Sequence, residues 1–148
     1  MIADLVSSLP DNLDLGLLVY GHRRKAHCDD IELMVPPGPV NRGALMNLVN
    51  SIRANGKTPL TKSLFFAADA LNQPTGASSL ILVTDGLETC AADPCDAARK
   101  LESENINFTA HVIAFDLDAT KHSRLNVLQM KQVENFWKRA MQEDYSMV

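Results

Sequence analysis

The sequence predicts an α/β layered domain rather than a helical bundle or a β-sandwich. Short apolar runs alternate with amphipathic stretches along the chain, which is the pattern of strands and helices in layers. Two stretches also begin with a capping residue followed by proline, a common start of a helix. The length of 148 residues fits one compact core.

The first two strands are predicted to pair antiparallel. The continuous apolar run from Leu15 to Tyr20 is typical of a strand covered on both faces, and it ends at Gly21. The second run, from Ile31 to Val35, is ended by the proline cluster at 36–39. A loop of about ten residues is too short for a helical crossover, so the second strand is expected at a sheet edge, antiparallel to the first.

Two helices are predicted next. Asn41 is expected to cap the first, which Asn55-Gly56 stops. The second is expected to begin with Thr58 as N-cap and Pro59 at the first helical position. Its buried stripe is predicted at Leu64, Ala67, Ala68 and Leu71.

The rest of the chain alternates strand and helix. A strand at Leu80–Val83 closes on Thr84-Asp85-Gly86, and Asp93-Pro94 begins a helix that ends near Glu104. Residues 108–115 are predicted to form a further strand. Residues 121–144 read as one long amphipathic helix that covers the sheet; the alternative is pairing with a second protomer, which leaves a homodimer open.

Charge and hydropathy exclude several classes of protein. The chain is 46% hydrophobic and 22% charged, which excludes a disordered polymer. Fourteen Lys and Arg against 18 Asp and Glu lack the cationic excess that holds nucleic acid. We find no apolar run of roughly 20 residues and no export signal, so the chain as written reads as cytoplasmic and without a membrane span, while its localisation is left open.

Three cysteines are too few for a disulfide scaffold. Cys90 and Cys95 lie close together in a polar stretch, and they can form a disulfide if their Cα atoms come within about 7 Å. Such a bridge persists only in an oxidising compartment, and two unpaired thiols in a cytosolic protein are the alternative. A zinc site completed by His22, His27 and Cys28 is disfavoured because no closely spaced pair obviously faces Cys90 and Cys95.

Thr58 and Asp85 are candidates for one shared site. Binding groups gather where the loops after parallel strands converge, and Asp85 follows a predicted central strand. Taken singly, Thr-Pro is an ordinary helix start and Asp-Gly an ordinary turn. Together, a hydroxyl and a carboxylate at one rim can face a cation, and Mg²⁺ accepts this oxygen set while it keeps several waters.

Several motifs in order resemble the von Willebrand factor type A (VWA) domain, in particular its bacterial members. They are the strand at 16–23, Cys-Asp-Asp-Ile-Glu at 28–32, Gly-Lys-Thr-Pro-Leu at 56–60 and Val-Thr-Asp-Gly-Leu-Glu-Thr-Cys at 83–90, with Asp93-Pro94-Cys95 behind it. The resemblance runs from about residue 3 to about residue 117. It implies a Rossmann-like, mostly parallel sheet with one antiparallel edge strand, helices on both faces, and a metal-ion-dependent adhesion site that binds protein ligands.

By resemblance, Thr58 is the metal-coordinating threonine and Asp85 the family's later aspartate, with Gly86 and Glu88 on the binding rim. The family's first strand and its Asp-x-Ser-x-Ser motif are missing from this chain. We therefore expect an incomplete metal site with weak or no Mg²⁺ binding, a non-enzymatic module with an unidentified protein ligand, and no catalytic residues. Without the central strand, the sheet is expected to close up, swap with another copy, or stay exposed. The truncated domain spans 1–120 and the divergent C-terminal helix 121–148.

One alternative function rests on the segment around Asp116 and Asp118, which looks like the first motif of haloacid-dehalogenase-type phosphatases. In that family the first aspartate attacks phosphorus and the second is the general acid/base. Only 28 residues follow Thr120, too few for the lysine and further aspartates that the family needs. Chance similarity explains this segment better. An inert fragment that persists by dimerising is the remaining alternative.

Overall fold

The computed structural model describes residues 2–71, 77–104 and 108–114. Helices and strands alternate there as a mixed α/β structure, which confirms the predicted class. The elements are α1 (Ile2–Ser8), β1 (Leu15–Tyr20), β2 (Ile31–Gly38), α2 (Arg42–Ser51), α3 (Leu60–Ala70), β3 (Ser78–Thr84), α4 (Pro94–Glu104) and β4 (Phe108–Ala114).

The strands form two two-stranded sheets within the described ranges. β1 and β2 are antiparallel, as predicted, with Tyr20 opposite Ile31. β3 and β4 are parallel, with Ser78 opposite Phe108. No ladder joins β1 to β3 in this part of the chain, so the two strands have not closed up on each other.

β2 runs further than the sequence predicts. It continues through two prolines to Gly38, so the predicted end at Val35 is wrong. Proline removes a backbone donor, which is tolerated where a strand pairs on one side, and β2 pairs only with β1 among the described strands. The ladder is irregular opposite the prolines, where a Cβ on Gly16 would lie 3.1 Å from Pro37 N.

The predicted helix starts are right for α2 and α4. Asn41 caps α2, because its Oδ1 accepts a hydrogen bond from Ala44 N at 2.9 Å. α4 begins at Pro94, and Asp93 Oδ1 accepts a hydrogen bond from Asp96 N at 3.4 Å. α2 ends at Ser51, before the predicted Asn55-Gly56 stop.

α3 begins one residue later than predicted. Pro59 takes the N-cap position without a side-chain cap, and the first helical residue is Leu60, so the prediction of Thr58 as N-cap is wrong. The physical reason lies in the loop after β3: Thr89 uses both the N–H and the carbonyl group of Thr58, which keeps Thr58 outside the helix.

The core lies between α3, α4 and the β3–β4 sheet. Leu60 and Leu64 are fully buried at its centre. Of the predicted α3 stripe, Leu64 and Ala67 are buried, and Ala68 and Leu71 pack half-buried against the cluster. The other buried members of the cluster are Leu82, Ala97 and Ala110.

The predicted C-terminal helix at 121–144 and the segment with Asp116 and Asp118 lie outside the described residues. Among the helices within them, none has both the length and the apolar character needed to cross a membrane.

Candidate functional site

Three loops meet at the carboxyl ends of β1 and β3, and we call them the rim loops: 21–30, 52–59 and 85–93. The Tyr20 hydroxyl at the end of β1 donates a hydrogen bond to Val83 O on β3 at 3.0 Å, which places the two strand ends side by side. Thr58 Oγ1 lies 3.6 Å from the position that a Cβ on Gly86 would take. The structure therefore brings Thr58 next to the Asp85-Gly86 turn.

The turn that carries Asp85 is closed by the buried Thr84 side chain. Thr84 Oγ1 donates to Gly86 O at 2.9 Å and lies 3.2 Å from Gly86 N. Thr84 is 1% exposed, whereas Asp85 is exposed. The carboxylate of Asp85 is thus presented to solvent from a turn that is anchored in the core.

Reciprocal hydrogen bonds tie loop 85–93 to loop 52–59. Thr58 N donates to Thr89 Oγ1 at 2.8 Å, and Thr89 N donates to Thr58 O at 3.2 Å. These bonds satisfy the backbone of Thr58 and leave its hydroxyl facing Gly86.

Glu88, which the sequence places on the binding rim, uses both carboxylate oxygens within the protein. Oε2 accepts a hydrogen bond from Thr61 N in the first turn of α3 at 2.8 Å. Oε1 accepts one from Cys90 N at 2.6 Å. A negative charge at a helix N-terminus is favourable, so Glu88 caps α3 from a distant loop instead of offering free oxygens to a ligand.

A disulfide between Cys28 and Cys90 joins loop 21–30 to loop 85–93, with the Cα atoms 5.8 Å apart. The predicted Cys90–Cys95 bridge is therefore replaced by one to a distant cysteine, because the rim brings Cys28 against Cys90. The zinc alternative also loses two of its thiolates, since a disulfide sulfur is not the anionic ligand that zinc requires.

Loop 21–30 is organised around Asp30, which is fully buried. Its Oδ2 accepts hydrogen bonds from Arg23 N at 2.7 Å and Arg24 N at 2.8 Å, and its Oδ1 accepts one from Arg23 Nε at 2.9 Å. Burial alone would raise the pKa of Asp30, but these hydrogen bonds outweigh it and lower the pKa to about 2.

Two glycines let loop 21–30 lie against loop 52–59. Asn55 N and Gly56 N both donate to Gly21 O, at 2.9 and 2.8 Å. Gly21 has a φ of 61°, and a side chain there would overlap Lys57 O. A Cβ on Gly56 would lie 2.5 Å from Arg24 O. The rim loops consequently pack backbone against backbone.

Tyr20 borders the site and was not singled out by sequence reasoning. Burial raises the pKa of the Tyr20 phenol, a hydrogen bond with Thr84 lowers it, and the charges of Asp85 and Glu88 raise it further. Its hydroxyl therefore stays protonated beside two carboxylates. A tyrosine at the end of an apolar strand was the available signal, but its contact with β3 depends on the tertiary fold.

As a metal site, the rim offers one hydroxyl oxygen from Thr58 and one carboxylate from Asp85. Within residues 2–71, 77–104 and 108–114 there is no cluster of three acidic, histidine or cysteine side chains that could hold a metal ion. One carboxylate and one hydroxyl compensate poorly for the dehydration of Mg²⁺.

The chain is similar to two curated proteins of Bacillus subtilis (strain 168). It is 29% identical over 136 residues to "Uncharacterized protein YwmC", covering 86% of this chain and 59% of the relative. It is 29% identical over 123 residues to "Uncharacterized protein YwmD", covering 74% of this chain and 53% of the relative. The chain thus spans between half and three fifths of the length of these relatives. No family model and no solved structure matches it.

Proposed function

We propose that this chain is a non-enzymatic protein-binding module of the VWA type, with an incomplete metal site and a Rossmann-like arrangement of its strands. The observation that carries the proposal is that loops from three parts of the chain are fixed to one another at the rim, where Asp85 is exposed and the next residue, Gly86, faces the Thr58 hydroxyl. Loops fixed on a scaffold are common binding surfaces, and a braced surface loses little conformational entropy on binding.

The ligand class is proposed as protein. The rim presents a carboxylate and hydroxyl groups, and loop 21–30 adds the exposed cationic residues Arg24 and Lys25. Such a mixed polar surface fits a folded or peptide partner. The overall charge of −4 disfavours a polyanion.

A display experiment tests where partners bind. A library of random peptides is selected on the purified chain, and the selected peptides are then assayed against Asp85→Lys. We expect a loss of affinity of about tenfold or more, because the reversed charge lies at the centre of the rim. Asp69→Lys, with the same charge change near the other end of α3, should leave affinity unchanged. Equal binding to wild type and both variants would contradict the proposal.

Calorimetric titration of the chain with Mg²⁺ or Mn²⁺ tests the incomplete metal site. We expect no saturable heat, because two protein oxygens supply too little charge to dehydrate the ion. Specific binding at about micromolar strength, lost in Asp85→Asn, would show that the site is complete within this chain.

A further inference from the structure

Charge is unevenly divided among the three rim loops. Loops 21–30 and 52–59 together contain five Lys and Arg residues and two Asp residues. Loop 85–93 contains three acidic residues and neither Lys nor Arg. In a chain whose overall charge is −4, two of the rim loops are therefore positively charged, and the third is negatively charged.

Both aspartates of loop 21–30 are bound within the protein. Asp30 Oδ1 accepts a hydrogen bond from Arg23 Nε at 2.9 Å, and Arg23 Nη1 also lies 3.1 Å from Glu32 Oε2. Asp29 is paired with Lys62 of α3. The carboxylates of this loop thus bind Arg23 and a lysine from outside the rim loops, and they form no ion pair with the remaining cations.

Four cationic residues remain on these two loops, Arg24, Lys25, Arg53 and Lys57. None of them is in ion-pair contact with a carboxylate in the part of the chain that the structure describes. Arg24, Lys25 and Arg53 are exposed, and Lys57 is half-buried. The two loops therefore present positive charge that the described residues do not neutralise.

The Arg24 side chain is held in place without losing its charge. Its backbone N–H donates to the buried Asp30 Oδ2, and its Nη2 donates to Asp29 O, both at 2.8 Å. Because Asp29 O is a neutral carbonyl, it orients the guanidinium without neutralising it. This bond uses one of five N–H donors of the guanidinium. Arg53 is similar, since its Nη1 donates to two backbone carbonyl groups near the end of α2.

The packing of the two loops brings Lys57 close to Arg24. Asn55 Nδ2 donates to Arg23 O at 3.4 Å, and a Cβ on Gly56 would lie 2.5 Å from Arg24 O. Lys57 follows Gly56 directly, so its backbone lies beside that of Arg24. Positive charge from two distant parts of the sequence is thus brought to one side of the rim.

We propose that loops 21–30 and 52–59 bind an acidic peptide segment of the partner and that Arg24 binds its carboxylates. A guanidinium matches a carboxylate with paired hydrogen bonds, and one that is already oriented loses less entropy on binding. Lys25 and Lys57 add positive charge beside it. This inference names the partner chemistry of the proposed function and rests on that function.

Loop 85–93 sets the direction of the acidic segment. Its carboxylates repel those of the partner, so the acidic residues lie on the side of Arg24, and the partner residues that face Asp85 are neutral or basic. A nucleic acid carries negative charge along its whole length and would meet the acidic loop as well. An acidic segment of limited length therefore fits the rim better than a polyanion.

The test measures fluorescence polarisation of a labelled peptide that alternates Glu with Ser, and of a second peptide with Gln in place of each Glu. Both are titrated with the full chain at low ionic strength and in about 0.5 M NaCl. We expect the Glu peptide to bind at least about fivefold more tightly than the Gln peptide. The difference should disappear at high salt, because exposed charges are screened.

Arg24→Gln is expected to weaken binding of the Glu peptide about fivefold or more. Arg99→Gln is the matched control, because Arg99 is an exposed arginine of α4, outside the rim loops, and is paired with Asp96. The control should bind the Glu peptide like wild type. Circular dichroism checks that both variants fold, and the two peptides compared on wild type decide the matter if Arg24→Gln does not.

Three results would overturn the inference: equal affinity for the Glu and Gln peptides, equal affinity of Arg24→Gln and Arg99→Gln for the Glu peptide, or displacement of the Glu peptide by an equal concentration of oligothymidylate. The last result would identify a nucleic acid ligand. If these tests fail while the display-selected peptides still depend on Asp85, the proposed function stands without an acidic partner. If the Glu peptide binds through Arg24 and no selected peptide depends on Asp85, the proposed role of Asp85 fails instead.

Discussion

At Asp30 a fully buried carboxylate is stabilised by three hydrogen-bond donors from two neighbouring arginines. A buried charge is costly when it is unpaired, but here backbone N–H groups and a guanidinium replace the lost water. The carboxylate shapes loop 21–30, which carries Cys28 to its bonding partner. The Asp30 side chain therefore organises one of the three rim loops.

Asp30→Asn is expected to lower the free energy of unfolding by about 2 kcal/mol at neutral pH, because an amide cannot replace both acceptor oxygens. The folded pKa of about 2 lies below the ordinary value of 3.8, so this stabilisation is present above pH 3.8 and is lost as the pH falls through 2. Urea unfolding between pH 2 and pH 7 measures it, and the variant should flatten this pH dependence.

Asp29→Asn is the matched control for that substitution. Asp29 is exposed, and Lys62, its ion-pair partner, is also exposed, so the pair is screened by solvent. The unfolding midpoint should be almost unchanged. If Asp29→Asn and Asp30→Asn destabilise the protein equally, the buried hydrogen bonds of Asp30 do not hold the loop.

At the level of elements, α3 receives its N-terminal cap from Glu88, 27 residues further along the chain. Glu88→Gln removes the charge from the positive end of the helix and one of two acceptor oxygens. We expect a loss of about 1–2 kcal/mol in the free energy of unfolding. Thermal unfolding followed by circular dichroism measures it.

Asp69→Asn provides the opposite case on the same helix. Asp69 lies in the last turn of α3, where a negative charge meets the negative end of the helix dipole. Removing that charge should leave stability unchanged or raise it slightly. If Glu88→Gln and Asp69→Asn lower the free energy of unfolding by similar amounts, Glu88 does not stabilise α3 through the helix dipole.

The contact between loops 21–30 and 52–59 depends on the missing side chain of Gly56. In Gly56→Ala the new Cβ would lie 2.5 Å from Arg24 O, which forces the two backbones apart. We expect a loss of about 1–3 kcal/mol by urea unfolding. Gly38→Ala is the control, because nothing lies within 4 Å of its Cβ position, and it should be close to neutral.

The sequence predicts the bounds of a helix or strand well where residues close by in the chain determine them. The apolar run at β1 and the Asp93-Pro94 start of α4 gave the observed boundaries, since apolar periodicity and capping act over a few residues. The start of α3 was misplaced because Glu88 and Thr89, distant in sequence, determine it. Thr58 lies next to the Asp85-Gly86 turn because hydrogen bonds with Thr89 tie loop 52–59 to loop 85–93, whereas a shared role of Thr58 and Asp85 stays a prediction.

At the scale of the whole molecule, the cysteines show what spacing alone misses. Proximity in sequence favoured Cys90 and Cys95, whereas the observed bond joins residues 62 positions apart. The fold decides the pairing, because it brings the loop after β1 against the loop after β3. The Cys28–Cys90 pairing can be predicted only when the relative placement of β1 and β3 is known.

Replacing both Cys28 and Cys90 by serine is expected to lower the free energy of unfolding by about 4 kcal/mol in the chain-entropy description of a loop of this length. Chemical unfolding of the double variant and of wild type, both without reductant, measures the difference. Cys95→Ser is the control and should unfold like wild type. A double variant as stable as wild type would show that hydrogen bonds and packing alone hold the rim.

The same disulfide closes a covalent ring that contains β2, α2, α3 and β3. A protease that cuts one peptide bond anywhere in this ring leaves a single molecule of unchanged mass apart from one added water. Its two fragments part only after reduction. A nick in loop 52–59 would therefore open the backbone beside the Thr58 hydroxyl without detaching either half of the protein.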